Sequence, residues 1–461
     1  MAERRLYPLS QTQQLNMWSR TFTIHKQVNN IATSVFVDAT LDLEALLRAV
    51  EEAVIRNDSF GIRLVKQGKE HRQYFGERRT LVTDTVDFTG QTQAEMEAFF
   101  NEVARKPLPI HDSPLAKVYV VRTPDGASGL FSCISHFVMD TWAIHLFYRD
   151  VFGLYFARTE GDPLPEAPLP FEEMLKRELE YEASPRRDAD RQFWRDELAS
   201  YGGRLPSYTH VNGTRIRDTW RKIIRKPDHP YGRGVILRTT AKHEVIGIDR
   251  PDLDAMTAFC EEHRIPLQWL FLAGLRTHLA RVSGRVDDVT IAVTVARRGT
   301  LVEKRSTGDR ATGLHVRTIV GEDETFMDAV EQLGRKQNSI LRHADLNFLE
   351  IFAMEAEVYG VKSYEGYAPI VFTFQLLPTD LGHGLRARME WYCSGTSQMA
   401  LYVMVMGSDD SLRICYEYYD HQIEAATLRR CHAYMLDVIR AGIRNPDITM
   451  RELLDLPPLA V

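Results

Sequence analysis

Residues 130–157 read LFSCISHFVMDTWAIHLFYRDVFGLYFA, and this stretch contains a single change of predicted backbone structure. Its first part, Leu130–Ile134, is apolar and predicts a buried strand that ends at about Ser135. From Thr141 to Ala157, apolar residues at positions 144, 147, 151 and 154 have the spacing of one helix face. His136 and Asp140 therefore fall in the turn between a strand and a helix, where a rigid scaffold can present catalytic groups.

Histidine titrates near neutral pH, so His136 could accept a proton under working conditions. Asp140 precedes the predicted helix and could cap its first amides, which would fix the turn and aim the imidazole. Taken alone, the H-x-x-x-D pattern is short, and a single histidine at a strand end is more often structural. A metal-binding pair at this spacing would need a helix, whereas the residues before His136 predict a strand.

Two segments, Lys117–Arg122 and Leu130–Ile134, flank the turn signal Pro124-Asp125-Gly126 and predict a hairpin. Ile31–Val37 predicts a further strand, and Asp42–Ile55 predicts a capped helix. Strand and helix character continue to alternate toward the C-terminal end of the sequence. The pattern predicts an α/β fold with mixed sheets flanked by helices.

The segment Arg158–Pro170 contains four prolines and a glycine and predicts a connector. We place the boundary between two lobes after it, with residues 1–170 carrying the H-x-x-x-D motif and residues 171–461 forming the C-terminal lobe. A helical stretch interrupted at Ser184-Pro185 is predicted over 171–199, followed by a loop-rich region over 204–242.

Composition excludes several classes of protein. The chain has 461 residues, with 57 Lys and Arg against 63 Asp and Glu, so the net charge of −6 does not favour nucleic acid or an anionic membrane. No apolar run approaches the ~18–20 residues that a spanning helix needs, and the first residues lack the apolar core of a signal peptide. We therefore expect a cytoplasmic protein that contacts neither membrane nor nucleic acid, and a monomer.

Five dispersed cysteines predict neither disulfides nor a metal centre. Cys260 and His263 supply only two ligands at a helical spacing, whereas a structural zinc site uses four. No metal site is predicted.

A local excess of positive charge lies between residues 204 and 242. A solvated loop would explain it, and so would a docking surface for an acidic partner. Only Asp218 and Asp228 oppose the ten basic residues, which are Arg204, Arg215, Arg217, Arg221, Lys222, Arg225, Lys226, Arg233, Arg238 and Lys242.

The segment Ser135–Thr141 resembles the core motif HHxxxDG of the condensation domains of nonribosomal peptide synthetases, and weaker matches to the other motifs of that family follow in the same order along about 450 residues. They are YPLSQTQQ at 7–14 with Met17-Trp18, RNDSFGIR at 56–63, DVTIAVTVARR at 288–298, TGLHVRT at 312–318, HADLNF at 343–348 and EYYD at 417–420.

This resemblance implies an α/β fold of two lobes related to chloramphenicol acetyltransferase, arranged as a V-shaped pseudo-dimer with a tunnel at their junction. It implies that donor and acceptor carrier proteins are the partners, that they deliver phosphopantetheine arms, and that no cofactor is bound by the chain itself. The acceptor amine would attack the donor acyl thioester beside His136. Asp140 would pair with an arginine from the other lobe, with Arg298 the best match and Arg297 the alternative.

Two positions depart from the family pattern. Ser135 replaces the first motif histidine and Thr141 replaces the glycine. Ser135, Thr141 and Trp142 are expected near the reaction point, where Thr141 adds a β-branched side chain and could cap the helix. A non-standard substrate would be compatible with these changes.

Three functions are compatible with these features. The first is an acyltransferase of nonribosomal peptide or hybrid polyketide–peptide biosynthesis, which forms an amide, or alternatively an ester, from a carrier-bound acyl group. The second is an inactive condensation-like platform that recruits a tailoring enzyme, as the altered motif could indicate. The third is an acyltransferase that uses a soluble acyl donor such as coenzyme A. An aspartate at position 135, typical of heterocyclisation domains, is missing, and no epimerisation signature is found.

Overall fold

The computed structural model describes residues 5–78, 82–230, 238–360, 368–376, 379–408 and 411–457. The elements up to residue 199 are β1 (Tyr7–Pro8), α1 (Gln11–Phe22), β2 (Asn30–Val37), α2 (Leu43–Arg56), β3 (Ile62–Gln67), β4 (Glu70–Phe75), β5 (Val82–Asp87), α3 (Gln93–Arg105), β6 (Ala116–Arg122), β7 (Ser128–Ser135), α4 (Thr141–Thr159), α5 (Phe171–Glu182) and α6 (Pro185–Ala199). Those that follow are α7 (Arg215–Ile224), β8 (Ala241–Gly247), α8 (Arg250–His263), α9 (Leu267–Val282), β9 (Asp288–Val295), α10 (Leu301–Lys304), β10 (Thr312–Ile319), α11 (Phe326–Leu341), α12 (Phe348–Tyr359), β11 (Ile370–Leu376), β12 (Ala387–Tyr392), β13 (Leu401–Ser408), β14 (Ser411–Tyr419), α13 (Ala425–Arg444) and α14 (Met450–Leu454).

The chain forms two compact units, and neither is a continuous stretch. The first comprises residues 1–184, 296–311 and 378–396, and the second comprises residues 185–295, 312–377 and 397–461. The sequence predicted ranges of 1–170 and 171–461, so the observed division differs from that simple cut. The cause is pairing and packing that no local pattern reveals: β12 adds to the edge of a sheet built from β2, and residues 296–311 pack around the turn after β7.

The first unit contains a mixed five-stranded sheet in the order β12-β2-β7-β6-β5. Its central strand β7 is buried along its whole length and pairs antiparallel with β2 and β6, as the predicted hairpin requires. Strands β5 and β6 are parallel. A second, smaller sheet has the order β1-β4-β3.

Helices cover both faces of this five-stranded sheet. Because side chains alternate along a strand, Phe131 faces α3 and stacks on Phe100 with 4.2 Å between ring centroids, whereas Ser132 faces α4 and approaches the Tyr148 hydroxyl at 2.6 Å. Helix α4 buries most of its length, which explains why its sequence is apolar around much of the helix circumference. The strand β7 is therefore held rigidly up to its last residue, Ser135.

The second unit is built on a mixed six-stranded sheet in the order β10-β9-β11-β13-β14-β8. Strand β11 runs parallel to both β9 and β13, and the remaining pairs are antiparallel. Its core is one large apolar cluster to which α9, α11 and α13 contribute. Mixed sheets flanked by helices are thus present in each unit, as predicted.

The region 204–242 is more regular than the loop-rich prediction, since it contains α7 and the first residues of β8. Several of its charges are satisfied locally: Arg204 pairs with Asp287, and Arg217 and Arg221 lie beside Asp218. Arg233 lies outside the described residues. The docking interpretation of this stretch stays a prediction.

Candidate functional site

The turn after β7 is organised by Asp140, which is the N-cap of α4. Its Oδ1 accepts a hydrogen bond from the Ala143 amide at 2.9 Å, so the predicted capping role is the one that the structure shows. Thr141 is the first residue of the helix and does not cap it. Its backbone is helical, so a side chain costs no strain where the family has glycine.

The second oxygen of Asp140 holds the loop formed by residues 296–311. Oδ2 accepts hydrogen bonds from Arg298 Nη1 at 2.7 Å, from the Arg310 amide at 2.9 Å and from the Ala311 amide at 3.2 Å. Burial alone would raise the pKa of the Asp140 carboxyl, but the Arg298 charge and these hydrogen bonds outweigh it and hold the pKa below its usual value. Asp140 is therefore a buried structural carboxylate.

The structure distinguishes the two candidate arginines. Arg298 pairs with Asp140 and also donates from Nη2 to the Gly308 carbonyl at 3.0 Å. Arg297 instead donates to the Arg310 carbonyl at 2.7 Å and to Gln11 Oε1 at 2.5 Å. Although the sequence assigned Arg298 to the other lobe, residues 296–311 belong to the same compact unit as Asp140.

The backbone of Arg297 has an unusual conformation for a residue with a side chain. Its φ of 47° lies in the left-handed region, which costs a side-chain-bearing residue ~1–2 kcal/mol. The two hydrogen bonds of the Arg297 side chain offset part of that cost.

His136 lies beside Asp309, a residue that the sequence analysis did not single out. Nδ1 of His136 is 3.4 Å from Oδ2 of Asp309, and the imidazole is 35% exposed while the aspartate is 2% exposed. Burial raises the pKa of the Asp309 carboxyl, and the nearby charge of Asp140 acts in the same direction, whereas the His136 and Asn16 hydrogen bonds lower it. The pair is a half-exposed imidazole backed by a buried carboxyl group.

Residues of helix α1 and Asn29 form hydrogen bonds around His136. Asn16 donates from Nδ2 to Asp309 Oδ2 at 2.9 Å and to the His136 carbonyl at 3.3 Å. The His136 amide donates to the Asn29 carbonyl at 2.7 Å, and Gln13 donates to the Phe137 carbonyl at 2.9 Å. Helix α1 and Asn29 thus hold the backbone on both sides of His136.

The other predicted positions near the reaction point behave differently from one another. Ser135 is buried, and its hydroxyl accepts a hydrogen bond from the Phe137 amide at 3.3 Å, so it stabilises the turn. Thr141 and Trp142 are partly exposed, and the Trp142 indole donates to the Lys304 carbonyl at 2.9 Å.

Sequence reasoning missed Asp309 because it lies in a loop without periodicity, in the segment Gly308-Asp309-Arg310 before the predicted strand at Thr312. The only local signal was an acidic residue between Arg298, which pairs with Asp140, and the strand predicted from Thr312. Its proximity to His136 depends on the hydrogen bonds of Asp140, which no spacing rule encodes.

The site offers acid–base chemistry on an imidazole. Over the described ranges, no cluster of three histidine, cysteine or acidic residues could hold a metal ion. In the same ranges, no helix combines the length and the apolar character needed to cross a bilayer. All five cysteines are buried thiols.

Comparisons with known proteins agree on one family. The family model described as "Condensation domain" matches residues 3–459. A plipastatin synthase chain of Bacillus subtilis (strain 168) is 23% identical over 453 residues, which is 97% of this chain but 17% of the relative. The chain therefore spans about a sixth of the length of that relative.

Solved structures support the fold. The first condensation domain of the CDA synthetase matches with a TM-score of 0.80 and 18% identity over 97% of this chain and 98% of that one. The starter condensation domain of the rhizomide synthetase RzmA, in a mutant form in complex with C8-CoA, matches with a TM-score of 0.82 and 16% identity, covering 98% of each chain.

Proposed function

Because the chain belongs to the condensation domain family, we propose that it is an acyltransferase that joins a carrier-bound acyl thioester to an amine, with an alcohol as the second class of acceptor. The observation that carries this proposal is the half-exposed imidazole of His136, held on both backbone sides and backed by a buried carboxylate. Donor and acceptor carrier proteins are the proposed partners, and the cytoplasm is the proposed location.

In the proposed step, the acceptor nitrogen attacks the thioester carbonyl carbon, so a C–N bond forms while the C–S bond breaks. The proton lost by the nitrogen passes to His136 and from there to the leaving pantetheine thiolate, which becomes the thiol, so His136 returns to its starting state. An ester would form in the same way from a hydroxyl oxygen.

The free-energy contributions of positioning and of a general base indicate that one well-placed histidine is enough for the proposed reaction. An α-amino group has a pKa of about 7.7–8.0, so roughly a tenth is already neutral at pH 7. Holding the amine and the thioester together can supply ~7–11 kcal/mol, against ~3–5 kcal/mol for a general base. Replacement of the first motif histidine by Ser135 is therefore compatible with activity, and an alcohol acceptor would depend more strongly on His136.

The soluble-donor alternative has one specific observation in its favour. The matched rhizomide starter domain was solved with C8-CoA, an acyl donor that is not attached to a carrier protein. Because that likeness rests on 16% identity, a carrier-bound donor stays the primary proposal.

The test is intact-protein mass spectrometry of two carrier proteins, one acyl-loaded and one amine-loaded, mixed with this chain. We expect the acyl mass to move to the amine-loaded carrier, and transfer to fall ~10²–10⁴-fold in His136→Ala because the base is lost. An acyl-CoA replacing the donor carrier tests the second donor class.

A matched control is His383→Ala, which removes an exposed histidine that pairs with Asp162. It should transfer as the wild type does. Transfer that is absent with every donor would contradict the proposal and favour a recruitment platform, and transfer unaffected by His136→Ala would contradict the role proposed for His136 as the base.

A further inference from the structure

We infer that Asp309 is the positioning residue of His136: it holds the proton on Nδ1 and so presents the acceptor lone pair on Nε2 to the reacting acceptor. The inference deepens the proposed function and rests on it, since it concerns the same histidine. Asp309 itself is not proposed to touch the substrate.

The donors around Asp309 show that its carboxylate acts as an acceptor. Oδ1 accepts from the Ala311 amide at 3.1 Å, and Oδ2 accepts from Asn16 Nδ2 at 2.9 Å. A carboxylate has only acceptor sites, and the Nδ1–Oδ2 distance of 3.4 Å places the imidazole as one more donor to Oδ2. Since a neutral imidazole carries one proton, its placement on Nδ1 leaves Nε2 as the basic nitrogen.

The position of Asp309 is set by Asp140. The Ala311 amide lies within hydrogen-bond distance of both carboxylates, at 3.2 Å from Asp140 Oδ2 and 3.1 Å from Asp309 Oδ1. Arg298 ties the same loop through the Gly308 carbonyl. In addition, the Thr12 hydroxyl donates to the Asp309 carbonyl at 2.7 Å. The motif aspartate therefore acts on His136 indirectly, by holding the loop that supplies Asp309.

The other charged groups near this pair are themselves paired. Asp140 is neutralised by Arg298, with 2.7 Å between Oδ2 and Nη1. Further along the loop, Arg310 lies 3.4 Å from Glu303, and Arg297 lies 3.7 Å from Glu178. Asp309 is the carboxylate that faces the imidazole directly, so its charge should favour the protonated ring of His136.

The experiment uses the full chain labelled with ¹⁵N-histidine and compares wild type with Asp309→Asn. The His136 ring signals are assigned by their loss in His136→Gln. In the wild type at high pH we expect the Nδ1–H tautomer. In Asp309→Asn we expect a shift toward Nε2–H, because asparagine brings a competing donor and has a single acceptor oxygen.

Activity provides a second readout. The carrier-to-carrier transfer rate should fall ~10²–10³-fold in Asp309→Asn, and the acid limb of its pH profile should move to lower pH, because the charge that favours protonated His136 is gone. Asp309→Glu should recover part of the rate. Asp150→Asn, which removes another buried carboxylate of the same unit, should leave the rate and the acid limb unchanged.

An unchanged tautomer together with an unchanged acid limb in a folded Asp309→Asn chain would overturn the inference. A lower rate with an unmoved acid limb would equally contradict it, because loss of packing alone lowers the rate without moving the histidine titration. The NMR readout requires no substrate. Failure of the proposed function, seen as full transfer in His136→Ala, is therefore distinguishable from failure of this inference.

Discussion

Each compact unit contains a histidine whose Nδ1 faces a buried carboxylate, yet the two pairs are built differently. In the first unit, His136 is 35% exposed and lies 3.4 Å from Asp309. In the second unit, His315 is 10% exposed and lies 2.8 Å from one oxygen of Glu355 and 3.0 Å from the other. Phe348 lies against His315, with 5.7 Å between ring centroids.

The comparison shows that a histidine and a carboxylate form both a half-exposed pair and a buried pair in this chain. The closely bonded, buried pair of His315 and Glu355 packs against an aromatic ring and joins β10 to α12. A half-exposed ring with one longer contact can exchange protons with a ligand. Substitutions in and around the two pairs should separate these roles, and the largest effect on stability is expected at Asp140.

Asp140→Ala should separate Asp309 from His136, because it releases the loop that carries Asp309. It removes the acceptor for Arg298 and for the amides of Arg310 and Ala311, all of them buried or partly buried. Leaving a buried charge without its partner typically costs ~3–5 kcal/mol, so the free energy of unfolding should fall by about that amount and transfer should be lost. Denaturant unfolding measures the first effect and the carrier assay the second.

Asp140→Asn is the control for this change, because it keeps a capping oxygen but removes the charge. An intermediate loss of stability is expected. If Asp140→Ala lost activity with an unchanged unfolding midpoint, the structural role assigned to Asp140 would be wrong.

Asp150→Asn should change the free energy of unfolding in the opposite direction, toward higher stability. Burial raises the pKa of Asp150 to about 6 despite Arg56 at 3.5 Å, and within the described residues neither of its oxygens accepts a hydrogen bond. The folded chain therefore binds this proton more tightly than the unfolded chain, so stability falls as the pH rises from about 4 to about 6 and stays at the lower value above pH 6. The variant should be more stable at pH 7.5 by at most ~3 kcal/mol, and the difference should shrink from pH 6 to pH 4.

Urea unfolding across that pH range measures the effect, with the exposed Asp38→Asn as the matched control. A variant that is less stable than the wild type at pH 7.5 would show that the Arg56 contact outweighs the burial of Asp150.

Glu355→Gln tests whether the His315–Glu355 pair of the second unit is structural. Losing the charged acceptor of His315 should lower the free energy of unfolding by ~1–2 kcal/mol, because a hydrogen bond to a charged group is lost while the packing stays. Transfer between carriers should stay within about twofold of wild type. A hundredfold loss of transfer in a folded variant would mean that the second pair takes part in the reaction, which would contradict the distinction between the two pairs.

Much of the site could be predicted from the sequence because it is local. The change from strand to helix spacing placed the turn, and the predicted cap is the one that Asp140 provides. The loop-rich prediction for 204–242 missed α7, whose Ile216, Trp220 and Ile223 have helical spacing but stand among many charged residues, and none of whose residues is fully buried.

Local sequence is sufficient to place the end of β7, the start of α4, and His136 and Asp140 between them, because these features depend on side-chain periodicity and capping over a few residues. Three contacts required the folded chain: Asp309 faces His136, Arg298 rather than Arg297 binds Asp140, and β12 pairs with β2. Those contacts join segments far apart in the chain. They form because buried carboxylates and unpaired strand edges need partners, and local sequence does not specify which distant partner they meet.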